Sequence, residues 1–436
     1  MTTQMQLVAT TSQYELPFFD AVHAQLASRL VDWLPQQQFD ESDDRRACKE
    51  WVKRLGQGGW LRYCVPAGFE GELGGALPQL DSRALVILRE TLAFHSPLAD
   101  FTFAMQGLGS GAITLAGTAQ QQAHYLPAVA RGDKIAAFAL SEPDAGSDVA
   151  AMQTSATKAY TQTAINNIAH QAINKPATGQ FDAKNDGNHE AYSLSGVKTW
   201  ISNGGIADFY VTFAKTDVTV GTKGISAFIV DADVHGLDTS EHIQVMAPHP
   251  LATLRFANCR VPSNALLGVE GEGFKLAMRT LDIFRASVAA AAIGMARRAM
   301  AEALRFAGAR RMFGGTLADM QLTQAKFGSM AALIDGAALL TYRAAWMRDT
   351  VGTEGKESAA HYSRASAMAK LVATENAQQV IDMALQMHGG QGVQVGNVLE
   401  HLYRDIRSLR IYEGATEVQQ LIIGKSVLKT AINSVA

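Results

Sequence analysis

The chain has 436 residues, of which 47% are hydrophobic and 18% are charged, and its formal net charge is −3. This length predicts two or three domains with an ample hydrophobic core. The balanced charge and the lack of a Lys/Arg-rich run exclude a nucleic-acid or membrane-surface footprint, and no apolar run approaches the roughly 20 residues of a bilayer span, so we expect a small substrate.

The cysteines and the N-terminus indicate the compartment. Cys48, Cys64 and Cys259 are isolated from one another, which matches neither a disulfide framework nor a metal-ligand spacing. The first basic residue is Arg29, so the N-terminus lacks the basic start of a secretory signal. We expect a cytoplasmic protein without a metal site.

Residues 1–134 have the pattern of an all-α domain, because apolar residues recur at intervals of three and four. Residues 135–262 predict a middle domain built on an antiparallel sheet or barrel. Its apolar runs are IAAFAL, AYSLSGVKTW, DFYVTFAKTD, ISAFIVDAD and LATLRFANCRV. Residues 160–190 lack a sustained period and predict a loop insertion, for which tolerated surface sequence is favoured over a functional loop.

Residues 263–436 predict a C-terminal four-helix bundle. Long helical patterns begin at Gly273 and continue over residues 322–348 and 359–387. The order of helices, sheet and helices indicates an α+β multidomain fold rather than an alternating α/β fold. No Gly-x-Gly-x-x-Gly motif follows a strand and no Walker loop occurs, which disfavours a Rossmann or P-loop nucleotide site.

Two motifs in the middle domain contain candidate ligand-binding groups. FALSEPDAGSD leaves a strand and enters a turn in which Ser141 and Ser147 supply hydroxyls, so it favours either a site for a heteroaromatic or pyrophosphate group or a plain β-turn. In VKTWISNGG, Trp200 and Ser202 are expected on the same strand face, because side chains alternate. The pair is typical either of a flavin site or of an ordinary core tryptophan beside a hydrogen-bonded serine.

A third motif, in the segment RDIRSLRIYEGATEVQQ, contains a candidate base. Glu413 stands between Tyr412 and Gly414, where an apolar wall can desolvate the carboxylate and the glycine allows close approach of a ligand. The alternative is a surface glutamate at the start of a helix.

Together these three motifs resemble the signatures of the acyl-CoA dehydrogenase family, flavoproteins that introduce an α,β double bond into acyl-CoA thioesters. The resemblance extends to RRMFGG at Arg310–Gly315 and to QMHGGQG at Gln386–Gly392, and so covers nearly the whole chain. It implies FAD as cofactor, an acyl-CoA substrate, an electron-transferring flavoprotein as electron acceptor, and a homodimer or homotetramer.

The resemblance also implies roles for individual residues. Those expected beside the FAD of the same chain are Phe138, Leu140, Ser141, Ser147, Trp200, Ser202, Ala415 and Glu417. Those expected to reach the FAD of a neighbouring subunit are Arg310, Phe313, Gln321, Gln386, Gly389 and Gly390. The family usually has threonine at Ser202 and at Ala415, so a hydroxyl is kept at the first position and lost at the second.

The remaining roles concern the substrate. Ser147, Tyr412 and Gly414 are expected to contact it, as are Asp282 and Arg285, although these two are three residues apart on a helix and also suit an ordinary ion pair. Some members of the family carry the base where this chain has Phe284, which leaves Glu413 to remove the α-proton. Alternatives are an acyl-CoA oxidase, a monooxygenase or a desulfinase of the same fold, or a non-catalytic helical scaffold.

Overall fold

The computed structural model describes residues 7–159, 191–352 and 355–435, so the predicted insertion at 160–190 lies outside the described residues. The N-terminal part is helical, as predicted. Its helices are α1 (Ala21–Trp33), α2 (Asp44–Gln57), α3 (Ser82–His95), α4 (Pro97–Ala116) and α5 (Ala119–Arg131). The side chains of Asp43, Asp81, Ser96 and Thr118 accept from free backbone N–H groups at four of the N-termini, which explains why the helices begin there.

The middle part is one sheet that runs in the order β6-β7-β3-β2-β4-β5-β8. Its strands are β1 (Ala136–Ala139), β2 (Ser155–Ala159), β3 (Ala191–Ser202), β4 (Phe209–Lys215), β5 (Ile225–Asp231), β6 (Leu237–His242), β7 (Leu251–Pro262) and β8 (Leu266–Leu267). Each predicted apolar run contains a strand. Most pairs are antiparallel as expected, but β1 and β2 each join β4 in parallel, with Ala136 opposite Phe209 and Ser155 opposite Lys215.

The C-terminal part is a helical domain, as predicted, formed by α6 (Gly273–Ala309), α7 (Gln321–Trp346), α8 (Lys356–His388), α9 (Val398–Leu409) and α10 (Thr416–Val435). A small hairpin of β9 (Arg311–Met312) and β10 (Gly315–Thr316) links α6 to α7. Helix α6 is a single helix of 37 residues that packs against α3 and α8 through a run of buried alanines. Across the described segments, none of the helices has the length and hydropathy of a membrane span.

Helix α3 is tied to the C-terminal helices by polar contacts. The carboxylate of Asp349, just beyond α7, accepts from the backbone N–H groups of Ser82 and Arg83, each at 2.9 Å. The buried carboxylate of Glu90 accepts from the Tyr342 hydroxyl at 2.8 Å and from Arg297 Nε at 2.8 Å. Because buried polar groups require partners, these bonds fix how the two helical parts meet.

Candidate active site

A cavity of about 510 Å³ lies where α4, the sheet, α6 and the segment between α9 and α10 converge. Eleven of the predicted site residues line this cavity, so the fold brings residues from separate parts of the sequence to one place. They are Phe138, Leu140, Ser141, Ser147, Trp200, Ser202, Arg285, Tyr412, Glu413, Gly414 and Ala415. The volume is that of an ordinary small-molecule or cofactor site.

The turn after β1 is held by a buried ion pair that no motif had indicated. Glu142 accepts from Lys198 Nζ at 2.8 Å and from the backbone N–H of Thr154 at 3.0 Å. Lys198 also donates to the Leu140 carbonyl at 3.0 Å. Burial lowers the pKa of Lys198 to about 8, and the neighbouring carboxylate opposes that shift. The pair therefore fixes the backbone from which Leu140 and Ser141 face the cavity.

Trp200 and Ser202 both line the cavity, but regular strand alternation does not place them there. The β3–β7 register shifts between Lys198 and Ile201, and Trp200 has a φ of +59°. Its indole is 57% exposed, although tryptophan is usually well buried. A bulge of this kind re-aims a side chain, so the indole here faces open space instead of the core.

The lining of this part of the cavity fits a planar heteroaromatic group. Trp200, Phe138 and Leu140 present apolar surface, and the hydroxyls of Ser141 and Ser202 lie among them. An exposed indole offers a flat face for stacking, and hydroxyls can donate to ring nitrogens or accept from ring N–H groups. An isoalloxazine ring offers both a flat face for stacking and ring nitrogens for these hydrogen bonds.

Glu413 lies in the short connection between α9 and α10 and has an unusual backbone conformation. Its φ is +53° and that of Gly414 is +90°. Left-handed conformation is uncommon and strained for glutamate, and residues held in it cluster at active sites and ligand-binding segments. Both carboxylate oxygens are buried, and within the described part of the chain neither has a hydrogen-bond partner. The surface-glutamate alternative is therefore wrong for this side chain.

Burial and the neighbouring positive charges shift the pKa of Glu413 in opposite directions. Burial raises the pKa of the Glu413 carboxyl above its ordinary value, and the nearby positive charges of Arg89, Lys370 and Arg285 partly offset this. Asp100 acts in the same direction as burial. A carboxylate that is desolvated but surrounded by cations can still ionise, which is what a general base needs.

Arg89 and Asp100 form a buried ion pair beneath this segment. Their side chains are 1% and 2% exposed, and two parallel bonds of 2.8 and 2.9 Å join the guanidinium to the carboxylate. Arg89 also donates to the Ser287 hydroxyl at 3.1 Å. Since the pair is close to neutral, it keeps α3 and α4 together without leaving a free charge under the cavity.

Asp282 and Arg285 form the ion pair that their spacing on α6 suggested. Arg285 also lines the cavity, and its Nε is buried with no partner in the described structure. Asp282 does not line the cavity; burial raises its pKa, and Arg285 opposes that shift. Phe284 packs instead toward α4, where a Cβ on Gly107 would come within 2.8 Å of its ring.

The other predicted residues lie outside the cavity. Phe313 is 87% exposed on the hairpin after α6 and has a φ of +49°. The remaining members of this group are exposed too, namely Arg310, Gln321, Gln386, Gly389, Gly390 and Glu417. Their positions leave them free to contact another molecule, and they contribute nothing to the cavity of their own chain.

Two buried cations near Glu413, Arg89 and Lys370, were not predicted from the sequence. Each lies in a mostly apolar helical run, ALVILRETLAF for Arg89, where Glu90 follows it, and SAMAKLVA for Lys370. A single charge on a buried helix face is costly unless it is paired, so each of these residues was a detectable signal. What the sequence could not show is that both face the same carboxylate.

Comparison with known proteins identifies relatives along most of the chain. Family models described as the N-terminal, middle and C-terminal domains of acyl-CoA dehydrogenase match residues 18–133, 173–259 and 271–428. A 3-(aryl)acrylate reductase of Clostridium sporogenes is 35% identical over 87% of this chain and 90% of its own. The mitochondrial short-chain specific acyl-CoA dehydrogenase of Sus scrofa is 34% identical over 87% and 82%.

Two further similarities bear on partners and cofactor. The caffeyl-CoA reductase-Etf complex subunit CarC of Acetobacterium woodii is 33% identical over 87% of this chain and 90% of its own. An acyl-CoA dehydrogenase from Bacillus anthracis, solved in complex with FAD, has a TM-score of 0.80 and 28% identity. That similarity covers 98% of this chain and 70% of the other.

Proposed function

The chain belongs to the acyl-CoA dehydrogenase family of FAD-dependent oxidoreductases that act on CH–CH groups, and from that premise we propose that it converts an acyl-CoA thioester to the trans-2-enoyl-CoA with Glu413 as the base. The observation that carries this proposal is the Glu413 carboxylate, which lines the cavity with both oxygens buried and unpartnered. A base in that state is available to a substrate α-proton, since none of the described residues donates to it.

The residues of the cavity supply the remaining requirements for proton removal. The apolar side chains of Phe101, Met105 and Leu108 on α4 exclude water from the acyl group. Among the described residues, the Glu413 backbone N–H has no hydrogen-bond acceptor. That group is free to donate to the thioester oxygen, where negative charge develops as the α-proton leaves.

The residues that would hold the FAD ring are Phe138, Leu140, Ser141, Trp200, Ser202 and Ala415. When bound, FAD supplies a two-electron acceptor for the β-hydrogen. Arg310, Phe313, Gln321, Gln386, Gly389 and Gly390 are exposed and do not line this cavity, which supports our proposal that they contact the cofactor of a second subunit in a homodimer or homotetramer. Electrons are then passed to an electron-transferring flavoprotein, as the name of the Acetobacterium relative suggests.

The opposite direction of the same reaction is the second candidate. Both the Clostridium and the Acetobacterium relatives described above carry reductase in their names, the first of them for a 3-(aryl)acrylate. Glu413 would then return a proton to the α-carbon, since proton transfer is reversible at the same group. The fold and the cavity suit either direction, so the direction is a property to be measured.

The function is tested by anaerobic titration of the purified protein. We expect a yellow protein whose flavin absorbance bleaches when saturated acyl-CoAs of graded chain length are added. In the companion experiment, 2-enoyl-CoAs are added to the dithionite-reduced protein; return of the yellow colour there, without bleaching by any acyl-CoA, would favour the reductase. Rapid reoxidation by air after bleaching would favour an oxidase, and a colourless protein would favour the scaffold.

The pH dependence of the reaction follows from the raised pKa of Glu413. The base must be ionised to accept a proton, so kcat/KM should rise with pH through the pKa of the free enzyme. Because burial raises that pKa, the acidic limb should lie at higher pH than the range in which an exposed glutamate titrates. A profile of kcat/KM that stays flat down to that range would contradict the assignment.

A further inference from the structure

Lys370 on α8 is a buried lysine whose contacts do not resemble those of an ordinary ion pair. Its side chain is 1% exposed, and its ammonium donates to the backbone carbonyls of Tyr412 and Gly414. These are the residues on either side of Glu413. Within the described part of the chain Lys370 makes no salt bridge to a carboxylate, so its bonds hold a backbone conformation.

The two bonds determine the direction of the neighbouring N–H groups. A trans peptide is planar, so the carbonyl of one residue and the N–H of the next point in opposite directions. The described structure contains no cis peptide bond. Because the Tyr412 carbonyl accepts from Lys370, the Glu413 N–H points away from this lysine. Glu413 lines the cavity and Lys370 does not.

A second donor supports the same conformation. Gln419, which is fully buried on α10, donates from Nε2 to the Gly414 carbonyl at 2.8 Å. Left-handed conformation at Glu413 and Gly414 needs such support, because the unsupported chain would relax out of it at Glu413. Lys370 holds both carbonyls at once, and Gln419 holds one.

The charge of Lys370 is balanced at a distance. Arg89 is paired with Asp100 and Arg285 with Asp282, which leaves the Lys370 ammonium and the Glu413 carboxylate as the remaining opposite charges of this group. Burial lowers the pKa of Lys370 to about 7, and the Glu413 carboxylate opposes that shift. The two carbonyl acceptors also favour the charged form of the lysine.

We propose that Lys370 is a positioning residue for the reaction. It holds the Tyr412–Gly414 backbone so that the Glu413 carboxylate meets the substrate α-carbon and the Glu413 N–H meets the thioester oxygen. This inference rests on the proposed function. Lys370 is not among the residues that line the cavity, so its action is through the geometry of Glu413. Displacement of reacting groups by about 1 Å commonly costs about 100-fold in rate.

The test compares Lys370→Met, which removes both donors at similar volume, with Lys370→Gln, which keeps a neutral donor. We expect kcat of the Met variant to fall by about 100-fold with flavin content unchanged, and that of the Gln variant to fall less. Thr374→Val is the matched control: its buried hydroxyl donates to the carbonyl of Lys370 within the same helix at 2.9 Å, and among the described residues it makes no hydrogen bond to the Glu413 segment. Its kcat should stay within about twofold of the wild-type value, as expected for a site away from the chemistry.

A spectroscopic measurement separates positioning from general damage. In the Glu413→Gln background, which should bind substrate without turnover, the infrared stretch of a ¹³C-labelled thioester carbonyl reports its hydrogen bonds. Addition of Lys370→Met should move that band toward the frequency of the free thioester, and addition of Thr374→Val should leave it in place. An unmoved band together with an undiminished kcat would overturn the role of Lys370. A wild-type protein that reacts with neither acyl-CoA nor enoyl-CoA would overturn the proposed function instead.

Discussion

Substitution of Glu413 by glutamine should reduce turnover by at least about 10³-fold, because an amide cannot accept the α-proton. In the described structure, Glu413 is the only buried carboxylate that both lacks a hydrogen-bond partner and lines the cavity. The change is nearly isosteric, so the cavity keeps its shape. The measurement is the rate of flavin bleaching by acyl-CoA in single turnover. FAD content and thioester affinity should remain near the wild-type values.

Glu357→Gln is a control for the loss of a glutamate charge. Glu357 is exposed in the first turn of α8, far from the cavity lining, and its substitution should leave the bleaching rate unchanged. Wild-type bleaching by Glu413→Gln would show that another group removes the proton, and the base would have to be sought elsewhere in the cavity.

Substitution of Arg89 by methionine should destabilise the protein by about 3–5 kcal/mol, since it leaves the Asp100 carboxylate buried without its partner. The bidentate bonds of 2.8 and 2.9 Å and the low exposure of both side chains place this pair among buried rather than surface ion pairs. Denaturant unfolding followed by tryptophan fluorescence and the midpoint of thermal unfolding both measure the loss.

A double-mutant cycle distinguishes a lost pair from a lost side chain. Asp100→Leu alone should also destabilise, because it leaves Arg89 unpaired, whereas Arg89→Met with Asp100→Leu should regain most of the stability. Additive losses in the double variant would show that the two charges do not depend on each other. Full stability of Arg89→Met alone would contradict the buried pair itself.

The elements of this fold were predictable where local pattern and tertiary role agree. The five apolar runs of the middle domain became strands, and the long alanine-rich segment from Gly273 became one helix. Strand β6 was missed because LDTSEH is mostly exposed and lacks apolar alternation. The boundaries at residues 134 and 262 and the cytoplasmic location stay predictions.

The site was predictable where a short motif contained the relevant residues, as at Ser141, Trp200 and Glu413. Their convergence on one cavity was implied only by family resemblance, and their contacts with FAD or substrate stay predictions. The supporting residues were missed for a physical reason. Glu142 and Lys198 are 56 residues apart, and Lys370 lies 42 residues before the carbonyl of Tyr412 that it holds, so no local pattern joins them.

The contacts of α3 bear on the order in which the chain can fold. Ser82 meets Asp349 across 267 residues of sequence, and Glu90 meets Tyr342 across 252. A ribosome therefore releases α3 long before the groups that satisfy its N-terminus and its buried carboxylate exist. Until α7 and the segment after it have been synthesised, Ser82, Arg83 and Glu90 lack these partners, and contacts across such sequence separations form slowly. The N-terminal helices therefore cannot complete these two contacts until most of the chain has left the ribosome.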